Sequence, residues 1–94
     1  MDVVESIRRE IGLSRRAFAK LLGVDERTLA RLEAGAPARG RTIGLLAVLR
    51  RAMDDYGPER VRLAAQAHGG RMEAIFAAGI HAVIQRAENE GWEV

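Results

Sequence analysis

The sequence predicts an all-α fold, and three observations carry that expectation. Apolar residues recur three and four positions apart in most segments, glycines and prolines cut the chain into pieces of helix length, and no stretch alternates apolar with polar residues as a strand would. The chain has 94 residues, 48% of them apolar, which is enough for one modest core. Neither an internal repeat nor a low-complexity segment interrupts it.

The elements follow in order. Asp2 caps a first helix with Glu5 as the partner of a capping box, and Val4, Ile7 and Ile11 recur at helical spacing until Gly12. Ser14 caps a second, Arg15 to Leu22, which carries Phe18, Leu21 and Leu22 and stops at Gly23. Asp25 caps a third, Glu26 to Ala34, with Val24 and Leu29 set to close a hydrophobic staple and Gly35 at its end. Residues 36–41, with Pro37 and Gly40, read as a loop. Thr42 then opens a fourth helix to about Met53, with Ile43, Leu46, Leu49 and Met53 on one side. Pro58 suits the first turn of a fifth helix, whose Val61, Ala64, Ala65 and His68 precede the Gly69–Gly70 break. A sixth and longer helix is expected from about Arg71 to Asn89.

Composition removes several function classes. With no cysteine, disulfides and thiolate chemistry are excluded, and a reducing cytoplasm fits. The longest mostly apolar stretch, Met72 to Ile84, is interrupted by Glu73 and His81 and is too short to cross a bilayer; the opening Asp2 and Glu5 do not resemble a signal peptide. The chain is therefore expected to be soluble, unprocessed and free of membrane. Charge is uneven: residues 1–53 hold 11 basic against 6 acidic residues, whereas residues 54–94 hold 4 against 7. A basic half is the electrostatic footprint of nucleic-acid binding, although 14 arginines to one lysine also fit a solvated arginine surface, and charge alone does not choose.

Spacing does choose. Two short helices joined by a turn containing glycine are the frame of a helix-turn-helix, whose second helix lies in the DNA major groove. Phe18, Leu22, Val24, Leu29 and Leu32 supply its apolar positions, Ala19 leaves room for the helices to approach, and Gly23 occupies the turn. "IGLSRRAFAKLLGVDERTLARLEAG" resembles the Xre/Cro-type helix-turn-helix family of phage repressors and bacterial regulators, over residues 4 to 53. The shared features are the leucine-serine opening, alanine and glycine in the first motif helix, and a leucine-glutamate-x-glycine close. Where the family usually has Gln after the opening serine, this chain has Arg15, and it has Asp25 and Leu32 where Ser or Thr and Trp or Ile are common.

That resemblance implies a lambda-repressor-like domain of four to five helices over residues 1–55, with a helical extension and dimerisation region over 56–94. It places base-reading positions at Glu26, Arg27 and Arg31, with Thr28 nearby. Arginine matches the guanine O6 and N7 bidentately and glutamate accepts from the cytosine amino group, so a G·C-containing site suits; Glu26 is equally explained as a first-turn acid favouring the helix dipole. Ser14, Arg15, Arg39 and Arg41 would hold phosphates. The resemblance also implies that Arg8 pairs with Glu33 in a partly buried bridge.

The expected sixth helix repeats apolar residues at Met72, Phe76, Ile80, Val83 and Ala87, broad enough to offer Met72, Phe76, Ile80 and Val83 to a second subunit, or else to the chain's own core. Trp92 either frays with the acidic tail or anchors it. The expected function is a sequence-specific double-stranded DNA-binding transcriptional regulator of repressor type, a nucleoid-associated cytoplasmic homodimer on a palindromic operator. The alternative is an antitoxin or similar module that masks a partner protein and autoregulates its operon. No enzyme, metal or cofactor is expected: His68 and His81 have no carboxylate or nucleophile beside them, and Gly69–Gly70 is not a phosphate loop.

Overall fold

Seven α-helices are formed by the residues that the computed structural model describes, 3–67 and 70–91: α1 Val3–Ile11, α2 Arg15–Leu22, α3 Glu26–Glu33, α4 Arg41–Tyr56, α5 Pro58–Ala67, α6 Met72–Ala78 and α7 Ile80–Asn89. No strand occurs among them. Asp2, His68 and Trp92, each given a role above, lie outside the described residues.

The caps do what their chemistry requires. Ser14 Oγ accepts from the Ala17 N–H at 3.1 Å and Asp25 Oδ1 from the Thr28 N–H at 2.6 Å, so each motif helix has one of its free first-turn donors satisfied. The α4 helix starts at Arg41 rather than Thr42 and runs past Met53 to Tyr56, because Arg50–Asp54 and Arg51–Asp55 pairs one turn apart, at 2.7 and 3.3 Å, support its last turns. On that helix Leu49 and Met53 are buried and Leu46 half-buried, but Ile43, expected on the same face, is exposed.

The expected sixth helix is two. Gly79, at φ 88° and ψ 108°, ends α6 and starts α7 in a backbone conformation open to residues without a Cβ. The reason is phase. The α6 helix buries Met72 and Ile75, whereas α7 buries Ile80, Val83, Ile84 and Ala87. At about 100° per residue these two sets point roughly 100° apart on a straight helix, so only a break lets both face inward. Phe76, which continues the stripe on paper, is left half-buried.

One core runs through both halves of the chain, from Val4, Ile7 and Ile11 through Phe18, Leu29 and Leu49 to Ile75, Val83 and Ile84. The α5 helix joins them: it packs on α1 and α4 on one side and on α6 and α7 on the other. It also fastens the end of α1 directly, since Arg62 Nη1 donates to the Ile11 carbonyl at 3.2 Å. Arg50 of α4 reaches Glu10 of α1 at 2.9 Å. No helix among the described residues is long and apolar enough to cross a membrane.

Candidate nucleic-acid interface

Residues of α3 divide cleanly by face. Leu29, Leu32 and Glu33 are buried, while Glu26, Arg27, Thr28 and Arg31 are all exposed. The Asp25 cap fixes where this helix begins. The hydrogen bond from the Thr28 backbone, then one from its side chain, hold the Asp25 carboxyl below the usual carboxylate range, and the nearby Arg27 and Arg31 charges act the same way. The carboxylate that would meet DNA as a negative charge is thus partnered locally.

The loop after α3 folds back on it. The Ala36 N–H donates to the Arg31 carbonyl at 2.9 Å and the Gly35 N–H to the Leu32 carbonyl at 3.1 Å. In consequence Thr28, Arg31, Arg39 and Thr42 line one shallow concavity of about 360 Å³, with Leu32 and Pro37 in its wall. A residue assigned to bases and one assigned to phosphates therefore stand side by side. Arg41 is elsewhere: it borders a cleft with Gly23 and Arg71, and its Nη1 lies 2.9 Å from Glu73 Oε1 of α6. At the other end of the motif, Ser14 is exposed, and its oxygen accepts the cap bond while its hydroxyl proton stays available to donate.

Glu33 is the one buried charged residue among those described. Arg8 Nε donates to its Oε1 at 2.6 Å, and Arg15 Nε to its Oε2 at 3.0 Å. Arg8 also donates through Nη1 to the Leu13 carbonyl at 3.2 Å. One carboxylate thereby ties α3 to α1 and α2, which sets the angle at which the outer face of α3 is presented. Nothing in the spacing of the chain pointed to the Arg15 contact, which spans eighteen residues and reaches a carboxylate expected to pair with Arg8.

The four residues expected to meet either a second subunit or the chain's own core differ in the surface they keep. Met72, Ile80 and Val83 are buried in the chain's own core, because α6 and α7 fold back onto α4 and α5; Phe76 is half-buried, and Ile80 lines a groove beside it. The large apolar residues left exposed among those described are Val3 of α1, at 70%, and Ile43 and Val48 of α4, at 54% and 39%. Sequence reasoning missed these, and their signal is weak: a helix with apolar residues on more than one face. No group of three or more His, Asp or Glu among the described residues is placed to hold a metal ion.

The stretch 4–49 matches the family model described as helix-turn-helix. Residues 4–49 belong to the Xre/lambda-repressor-like helix-turn-helix family. The helix-turn-helix segment takes in all of the α3 face, the Arg8–Glu33–Arg15 cluster and most of α4, and the family is one of DNA-binding transcriptional regulators. No curated protein and no solved structure matches the chain.

Proposed function

We propose that the protein is a sequence-specific transcriptional repressor that lays α3 in the major groove of double-stranded DNA. The observation that carries this reading is the outer face of α3, where Glu26, Arg27, Thr28 and Arg31 are exposed together on a helix capped at Asp25 and anchored at Glu33. Arg27 and Arg31 suit guanine edges, and Glu26 and Thr28 complete a readout of G·C-containing sequence. Ser14, Arg15, Arg39 and Arg41 set the register on phosphates. Occupancy of a site that overlaps a promoter is enough to repress, and each of these side chains serves occupancy. Such a protein works in the cytoplasm, on the nucleoid.

A single recognition helix makes few base contacts, so the proposal includes a homodimer on a palindrome with half-sites about one turn, roughly 34 Å, apart. With Met72 and Val83 committed to the core, the proposed contact is the groove of about 510 Å³ between α4 and the α6–α7 junction, lined by Ala47, Val48, Tyr56, Phe76 and Ile80. Arg51 and Asp55 stand at its rim, so the patch carries both signs of charge, which suits a surface that meets its own copy. The same groove is the contact for the second reading, in which the chain masks a partner protein and its helix-turn-helix autoregulates the operon.

Selection of bound duplexes from a random pool, followed by sedimentation of the full chain with the enriched duplex, tests the proposal. Enrichment of a palindrome bound by two chains is expected. Enrichment of an unsymmetrical half-site by a monomer removes the dimer, and no enrichment at moderate salt removes sequence-specific binding in favour of the protein partner.

A further inference from the structure

We propose that Glu33 is a positioning residue for DNA-backbone recognition, holding the Arg15 guanidinium by its Nε so that the Nη edge is presented ready-oriented to a phosphate. The inference rests on the DNA-binding reading above. Its observations are that the Glu33 side chain is 3% exposed and that each carboxylate oxygen is taken by a different arginine. Arg8, with a side chain 16% exposed and a further bond to the Leu13 carbonyl, already neutralises Glu33 and fixes α3 against α1. A second arginine is not needed to satisfy the carboxylate.

Arg15 differs from Arg8 in kind. It is the first residue of α2, its side chain is 56% exposed, and only its Nε is engaged. A guanidinium has five N–H donors in a fixed plane, so four remain on the two Nη groups, the edge that meets phosphate bidentately. An arginine free in solvent must give up rotamer freedom to make such a contact, whereas one already held by a buried carboxylate has given up most of it on folding. Lysine at this position would carry the same charge but has one ammonium, which either pairs with Glu33 or meets the phosphate. Because the same carboxylate sets the position of α3, the phosphate grip and the recognition helix keep a fixed relation.

The test uses the full chain, an enriched duplex and a random-sequence duplex, with dissociation constants measured across a salt series and thermal melts for each variant. Arg15→Lys leaves the Arg8–Glu33 pair intact and is expected to melt close to the parent, yet to bind both duplexes about 3- to 10-fold more weakly, the loss of one pre-ordered side chain. Arg15→Gln is expected to flatten the salt slope by about 0.9, one phosphate contact. Glu33→Gln should weaken binding more in the parent than in the Arg15→Gln background, where only the loss of the α3 anchor to Arg8 is left to act. Arg15→Lys binding as tightly as the parent overturns the inference, as does an equal cost of Glu33→Gln in both backgrounds. If the parent binds neither duplex at low salt, the DNA-binding reading itself falls and takes the inference with it.

Discussion

Replacing Gly12 with alanine tests whether the helix-turn-helix segment and the helices behind it are one folding unit. Gly12 follows α1 at φ 81°, and a Cβ built there would lie 2.5 Å from Arg62 Nη1 of α5. The left-handed backbone alone costs an L-residue about 1–2 kcal/mol. The clash is with the far end of a flexible side chain, so Arg62 swings aside rather than the helices parting, and what is lost is its bond to the Ile11 carbonyl. At 3.2 Å that bond is long, and about 1 kcal/mol is a fair share for it. The expected destabilisation is roughly 2–3 kcal/mol, a drop of about 10–20 °C in melting temperature for a chain of this size. Thermal and urea unfolding of Gly12→Ala, Arg62→Leu and the double variant separate the parts. With Arg62 gone, the alanine should cost only its backbone share, and the two substitutions should couple by about 1 kcal/mol. A cost of Gly12→Ala that is the same with and without Arg62 would refute the seam between α1 and α5 described above.

Arg31→Ala is expected to cost about 1–3 kcal/mol of specific binding and to relax preference at one base pair, read on cognate and singly substituted duplexes; an unchanged preference removes Arg31 from the readers. Arg39→Ala should weaken all duplexes alike and lower the salt slope by about 0.9, and a loss confined to one sequence contradicts its phosphate role. Glu73→Gln should strengthen binding, because it frees Arg41 from a carboxylate 2.9 Å away; both side chains are more than half exposed, so the gain is at most about 5-fold. Weaker binding by this variant would show that the pair positions Arg41 rather than restrains it. The Asp25 cap adds an acid limb to stability. With its carboxyl held below the usual range, the cap's contribution is complete at neutral pH and lost as pH falls through the lowered value, so Thr28 amide protection should drop there, and Asp25→Ala should abolish that limb.

The elements legible in the sequence were those with local punctuation. Ser14, Gly23 and Asp25 each act within four residues of themselves, so α2 begins and ends, and α3 begins, where spacing places them, while α3 stops one residue short of Ala34. Gly79 was not legible because Phe76, Ile80 and Val83 continue a helical period across it; the period shows that a face is apolar, not that its phase must be reset to bury two segments at once. The apolar stripe was ambiguous for a related reason: amphipathicity marks which residues leave water, not into what, and here Met72 and Val83 leave it into their own chain. The exposed α3 face could be located once the frame was known, since helix geometry fixes which residues oppose Leu29 and Leu32. The contacts Arg15–Glu33, Arg41–Glu73 and Arg62–Ile11 join residues 18 to 51 positions apart, and nothing local in a charged residue names its distant partner.

The core that runs from Val4 to Ile84 has a consequence for turnover. Where two halves share their buried side chains, they open together, so anything that binds the closed form at α3 also keeps α7 closed. A chain in the presence of its DNA at a hundred times the dissociation constant gains about 2.7 kcal/mol, and the population of opened chains falls about a hundred-fold. Proteases that act on the opened form then find fewer targets even in the helices outside the helix-turn-helix segment. A bound molecule would outlive an unbound one, and vacant sites would set how fast the surplus is cleared.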